Sequence, residues 1–241
     1  MTLVDIPVLW GQKIDKDRFV PACSYCCADL SLPVFHFPDC DSWPSDLHDA
    51  LKKHWPPFRI VPCNGCKFEE YCSERCRDLS WDTYHKITCP GTNRSAEEVH
   101  IYCRAMRTRN RDEIPPSNTA TPMILTRLWA IVMSKALAMA GDGKKPSVEQ
   151  ITEAMETFRG FIGCDVSGYA QNSRILVNMI QKVFTDKSLP IKFGISDEEF
   201  EWRYSQTAIN CQEFRPPTHN LKLFRDSLKE SEVRRCLGRG L

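Results

Sequence analysis

Cys63-Asn-Gly-Cys66, then Tyr71-Cys72-Ser-Glu-Arg-Cys76, then His85-Lys-Ile-Thr-Cys89: this stretch decides how the chain folds. A pair two residues apart is followed by two pairs with four-residue offsets, and a fourth pair, Cys23-Ser-Tyr-Cys26, lies upstream. Four pairs supply eight ligands, enough for two tetrahedral zinc sites. A Cys-x2-Cys turn brings two thiolates to one ion, about 2.3 Å from each sulfur, with backbone amides facing the charge. Gly65 is expected to take the positive φ that such a turn often needs. The offsets of Cys72/Cys76 and His85/Cys89 match one helical turn, which predicts that each pair lies on one helix face, with Ser73 as N-cap and Ser80 opening a second short helix.

The same geometry separates the pairs. Cys76 and His85 are nine residues apart, so in a continuous helix they point in opposite directions and sit about 13 Å apart along the axis. One ion cannot serve both, and an interleaved cross-brace is the simplest arrangement. Spacing alone does not say which Cys-x2-Cys joins which later pair.

The remaining composition is ordinary. The chain has 241 residues, 42% hydrophobic and 26% charged, with a formal net charge of +1. No global field draws it to nucleic acid or an anionic membrane. Thirteen cysteines are the anomaly, nine of them between Cys23 and Cys89. An odd number, with no secretory leader expected from residues 1–17, argues for reduced thiols in an intracellular setting; nucleus and cytoplasm are not distinguished. Met123 to Ala140 is the longest apolar run, and Arg127 and Lys135 within it predict a core helix too short and too charged to span a bilayer.

The run Cys23-x2-Cys26, Cys63-x2-Cys66, Tyr71-Cys72-x3-Cys76, Trp81 and His85-x3-Cys89 resembles the MYND-type zinc finger. That resemblance implies that Cys23, Cys26, Cys72 and Cys76 hold one zinc, and that Cys63, Cys66, His85 and Cys89 hold the other. Seven thiolates and two Zn2+ would move the formal charge of +1 to about −2. Both sites would be closed, so the two zinc ions would be structural rather than catalytic. The departure from the family is a 36-residue connection between Cys26 and Cys63 where a short one is usual. Closing it costs roughly 1.1 kcal/mol more than a ten-residue loop, small beside the roughly 10 kcal/mol a structural zinc supplies. The insertion, residues 27–62, is expected to be a long surface loop; its Cys27, Cys40, His36, His48 and His54 are alternative ligands.

Beyond Pro90-Gly91 the pattern turns helical. Ser95-x-x-Glu98, Ser147-x-x-Gln150 and Ser196-x-x-Glu199 read as capping boxes; Thr121-Pro122 opens the run stopped by Gly141. Apolar residues of Asn172 to Thr185 recur at helical spacing, and Asn220 to Leu237 is a sixth candidate helix. Loops are expected at 112–122 and 141–146. Arg104, Arg107, Arg109 and Arg111 read as cations favoured at a helix C-terminus rather than as a phosphate site. The expected architecture is a lead-in (1–22), a small metal-stabilised cross-brace finger with short helices (23–89), and a mainly α-helical region (92–241).

A finger followed by helices resembles the SET- and MYND-domain protein-lysine methyltransferases, with Leu9-Trp10, Tyr84-His85 and Cys89-Pro90-Gly91 as local likenesses. Those enzymes use an opening Gly-x-Gly turn and an Asn-His-Ser-Cys segment to bind S-adenosylmethionine, and a late Tyr to orient the lysine amine. Asn-His-Ser-Cys does not occur in this sequence, and Gly238-Arg-Gly240 mimics the opening turn only at the far end. The expected function is therefore a two-zinc protein-interaction module without catalysis, binding a protein partner through a proline-containing peptide. The alternative is a fragment or divergent form of an S-adenosylmethionine-dependent protein-lysine methyltransferase.

Overall fold

A computed structural model of the chain describes residues 21–55, 59–108, 121–160, 178–184, 202–203, 206–207 and 220–228. A two-stranded hairpin stands at its centre: β1 (Val61–Pro62) pairs antiparallel with β2 (Glu70–Tyr71), Val61 opposite Tyr71. The Cys63–Cys66 turn occupies the hairpin loop, closed by Cys63 N–H donating to the Glu69 carbonyl at 3.0 Å. The Cys23–Cys26 turn docks on the outer side of β2, where Ser24 N–H donates to the Glu70 carbonyl at 2.8 Å.

After the hairpin the chain enters one helix with a widened turn. Ser73 caps α3 (Glu74–Ser80), its hydroxyl accepting from Cys76 N–H at 3.2 Å. Ser80 does not open a separate helix, contrary to the expectation above: the backbone stays helical through a π turn at Trp81–His85 into α4 (Lys86–Thr88). The extra residue in a π turn re-aims the side chains after it. Here it buries two consecutive residues toward different targets, Tyr84 toward the Ser24 carbonyl at 2.8 Å and His85 toward Cys63 Sγ at 3.2 Å.

The helical region wraps α6 (Thr121–Ala140). Leu125, Leu128, Trp129, Ala130, Val132, Met133 and Ala136 are buried, so most sides of this helix meet protein. By length and hydropathy alone Met123–Ala140 would reach across a bilayer, which corrects the length argument above; 61% of it is instead buried inside the fold. Tyr84 and Ile87 belong to the same core, as do Val99 of α5 (Arg94–Thr108), Ile180, Val183 and Phe184. The end of the finger's helix and the helices beyond it therefore share one core, while Cys23, Leu30, Cys63, Tyr71 and Cys89 form a second, smaller cluster.

Capping decides where the helices begin. Ser147 and Gln150 form the expected box at α7 (Val148–Ala154), and Gly141, with φ +81°, ends α6. The box at Ser95 is not used, because α5 starts one residue earlier. Asn93 caps it instead, its Oδ1 accepting from Ala96 N–H at 3.2 Å. Its Nδ2 donates to the Ile87 and Val183 carbonyls at 3.0 and 2.9 Å. A buried cap that also satisfies two loose carbonyls outcompetes an exposed serine. The box at Ser196, the loop at 112–120, Arg109 and Arg111 lie outside the described residues. So do the first part of the 172–185 helix and residues beyond 228; of these two helices, 178–184 and α8 (Asn220–Ser227) are described.

The insertion is not a loop. It folds into α1 (Pro33–His36), a 3-10 turn (Cys40–Ser42) and α2 (Ser45–His54). Phe37, Cys40, Leu51 and Trp55 are buried in a small core separate from the one around α6, and Trp55 Nε1–H donates to the Ser31 carbonyl at 3.1 Å. Aromatic burial supplies what the loop reading omitted.

Candidate metal centre

The first tetrad is assembled from three elements. Cys23 and Cys26 come from the turn ahead of the insertion, Cys72 from the end of β2, and Cys76 from the first turn of α3. Cys72 precedes the cap Ser73, so it does not share a helix face with Cys76 as expected; the cap turn brings them together. Their sulfurs are 3.5 Å apart, and Cys26 Sγ is 3.6 Å from Cys72 Sγ.

The second tetrad joins the hairpin loop to the end of the helix. His85 Nε2 lies 3.2 Å from Cys63 Sγ and 3.5 Å from Cys66 Sγ, and Cys63 Sγ lies 3.9 Å from Cys89 Sγ. Cys89 is the C-cap of α4 with extended backbone, so this pair too straddles a helix end rather than one face. Within each tetrad all four donor atoms lie within 4.8 Å of one another. Zinc–sulfur bonds of about 2.3 Å at tetrahedral angles place sulfurs about 3.8 Å apart, so both clusters fit the ion. Cys27, Cys40, His36, His48 and His54 belong to neither tetrad. Cys40 lies in the aromatic core of the insertion, and His36 meets Ser31 Oγ at 2.7 Å.

The electrostatics suit a cation. The hydrogen bond from the Cys26 side chain lowers the Cys23 thiol to about 5, and the same bond, with burial, pushes Cys26 up. Burial also holds His85 below the ordinary imidazole range, with the Glu69 charge opposing, so the ring stays neutral as a metal ligand must. The two tetrads differ in exposure: Cys26 is exposed and Cys72 and Cys76 half-buried, whereas Cys63, His85 and Cys89 are buried.

Gly65 does not take a positive φ, which corrects the expectation above; in this part of the chain Cys27 does, with φ +63°. Gly65 is needed for clearance. A Cβ there would sit 3.1 Å from Cys89 Sγ, and a Cβ on Gly91 would collide with the Gly65 carbonyl oxygen. The loop after Cys89 crosses the Cys63–Cys66 turn backbone to backbone, which only glycines allow. Gly91→Ala is expected to cost about 1–3 kcal/mol in denaturant unfolding, and a variant as stable as the parent would show that the crossing is looser.

Beneath the second tetrad lies a buried ion pair. Arg127 of α6 donates through Nη2 to both Glu69 oxygens, at 2.7 and 2.9 Å. The Arg127 guanidinium lies 5.2 Å from the Tyr84 ring centroid, and His100 Nε2 lies 3.8 Å from Glu69 Oε1. Burial would raise the Glu69 carboxyl, but the Arg127 charge, helped by His100, outweighs it and holds the group below its ordinary value. Sequence reasoning treated Arg127 only as an interruption of an apolar run. The signal was there, since a lone arginine in a core helix needs a buried acid, but nothing local names Glu69.

Residues 50–89 match the family model of the MYND finger, and this part of the chain is a MYND finger. The match begins after Cys23 and Cys26, which the fold returns to the side of Cys72 and Cys76 across the insertion. Over 43 residues the chain is 47% identical to the protein-lysine N-methyltransferase SMYD4 of Gallus gallus and to that of Homo sapiens. Over 42 residues it is 38% identical to the Mus musculus protein. The 43-residue matches cover 18% of this chain and 5% of those relatives. No solved structure matches significantly.

Proposed function

We propose that Cys23, Cys26, Cys72 and Cys76 hold one structural zinc, that Cys63, Cys66, His85 and Cys89 hold a second, and that the finger so braced is a protein-interaction module of a reducing, intracellular compartment. The observation that carries this reading is the convergence of eight donors, drawn from four separated segments, into two tetrads of zinc dimensions. Each ion would cross-link segments that share little core of their own. With four protein ligands neither ion keeps an open position, so zinc braces rather than catalyses.

A proline-containing peptide is the partner class that fits the surface beside the second tetrad. Trp81, 38% exposed, stands edge-on to the His85 ring at 6.0 Å, and Leu79 and Phe68 are similarly exposed. Extended proline-rich segments dock on such aromatic surfaces with little loss of entropy. Native mass spectrometry is expected to show two zinc ions per chain, both removed by chelation. A fluorescent proline-rich peptide is expected to bind the zinc-loaded chain and to weaken about tenfold with Trp81→Ala. Well-folded, metal-free protein would sink the zinc reading, and binding indifferent to Trp81 would sink the peptide surface. The identity to SMYD4 methyltransferases favours one other reading, part of such an enzyme. Micromolar or tighter S-adenosylmethionine binding in calorimetry would establish it over the non-catalytic one.

A further inference from the structure

The finger makes no use of the small core inside the insertion, yet that core is built to hold something. Phe37, Trp43 and Trp55 are arranged around one space, with Phe37 and Trp43 ring centroids 5.0 Å apart and Phe37 and Trp55 edge-to-face at 6.3 Å. Buried Cys40 and Leu51 complete the cup. Its occupant comes from the far end of the described chain: Phe224 of α8, 1% exposed, stacks on Trp43 at 6.0 Å with the rings only 13° apart, and meets Phe37 edge-on at 5.5 Å.

The described neighbours of Phe224 on α8 face solvent. Leu223 is 40% exposed, and Arg225 and Asp226 pair with each other at 3.0 Å on the solvent side. Leu228, four positions after Phe224, also packs on the cup. Neither Phe224 nor Leu228 belongs to the core built around α6. The contact is thus an aromatic cup on one segment filled by a ring from another. An aromatic anchor buries roughly 150–250 Å², far less than the roughly 1,200 Å² of a lasting interface between separate chains. Chain connectivity, worth millimolar effective concentrations, is what keeps so small a contact closed.

We propose that the insertion is a binding site for short amphipathic helices carrying an aromatic anchor and an aliphatic residue four positions later, and that residues 220–228 are its ligand in cis. A partner helix of the same pattern competes with the chain's own segment. The test uses the full zinc-supplemented chain and a fluorescein-labelled peptide of residues 218–230. Phe224→Ala empties the cup and is expected to bind the peptide at least tenfold more tightly than the parent. Adding Trp43→Ala should abolish that gain, and Leu228→Ala, which keeps the ring, should produce a smaller one. Equal binding to parent and Phe224→Ala, or binding to neither, would overturn the proposal. So would loss of amide protection across Ser45–His54 in Phe224→Ala, which would make Phe224 a core residue rather than a displaceable ligand.

Discussion

Stripping zinc with a strong chelator is expected to unfold the finger and, with it, much of the helical region. A structural zinc contributes on the order of 10 kcal/mol or more, while a whole domain is stable by roughly 5–15 kcal/mol. Losing the ion of the second tetrad would therefore take away an amount comparable to the whole stability. The effect should spread because the helix that presents His85 also presents Tyr84 and Ile87 to the core around α6. His85→Ala should behave like chelation. Cys26→Ser, at the exposed corner of the first tetrad, should keep one zinc and a folded α6 core. Circular dichroism recorded beside native mass spectrometry checks this. Chelated protein that retains its helical signal and cooperative melting would show that the tetrads are not the brace.

Removing one partner of the buried pair is expected to be the next largest loss. Arg127→Ala leaves the Glu69 carboxylate buried without its principal cation, and such orphaned charges cost about 3–5 kcal/mol. Converting both partners to apolar residues, Glu69→Leu with Arg127→Met, should recover most of it, since a buried pair spends much of its attraction on desolvation. The pair also makes a pH prediction with a definite sign. The Glu69 carboxyl lies below its ordinary value of 4.5 in the fold. Its contribution is thus fully present above about pH 4.5 and is lost as pH falls through the lower, folded value. Acid protonates the tetrad thiolates in parent and double variant alike, so below about pH 4.5 the change in the stability difference between them reports chiefly on Glu69. That difference should shift against the parent only as pH drops below about 4.5. Denaturant titrations from about pH 3 to about pH 7 test it, and a difference that does not change over that range would remove Glu69 as its source.

The parts of this protein legible without coordinates share a physical cause: they depend on chemistry repeated at short range. Structural zinc is held mostly by Cys and His, and the turn that presents two of them is short, so the eight candidate donors stand out as four pairs. Ser73 and the Ser147–Gln150 box are read from neighbours three residues apart, and Gly141 from the helix it ends. The same locality explains the errors. The offsets of Cys72/Cys76 and His85/Cys89 look helical, yet each pair straddles a helix end, because a tetrad needs donors to converge from different directions and one helix face cannot supply that. Gly65 reads as a turn glycine, but what its missing side chain clears is Cys89 Sγ, twenty-four residues later.

Residue order alone determined the candidate donor pairs, the finger class and the helical character of the region after the finger, since each is carried by residues close together in the chain. Only the tertiary structure decided that Asn93 displaces Ser95 as a cap, that Arg127 finds Glu69, and that Phe224 closes the aromatic cup of an insertion expected to be a loop. Each of these is settled by burial, where an unpaired polar group or an exposed ring costs more than any local preference gains, and burial partners are chosen across the fold rather than along the chain.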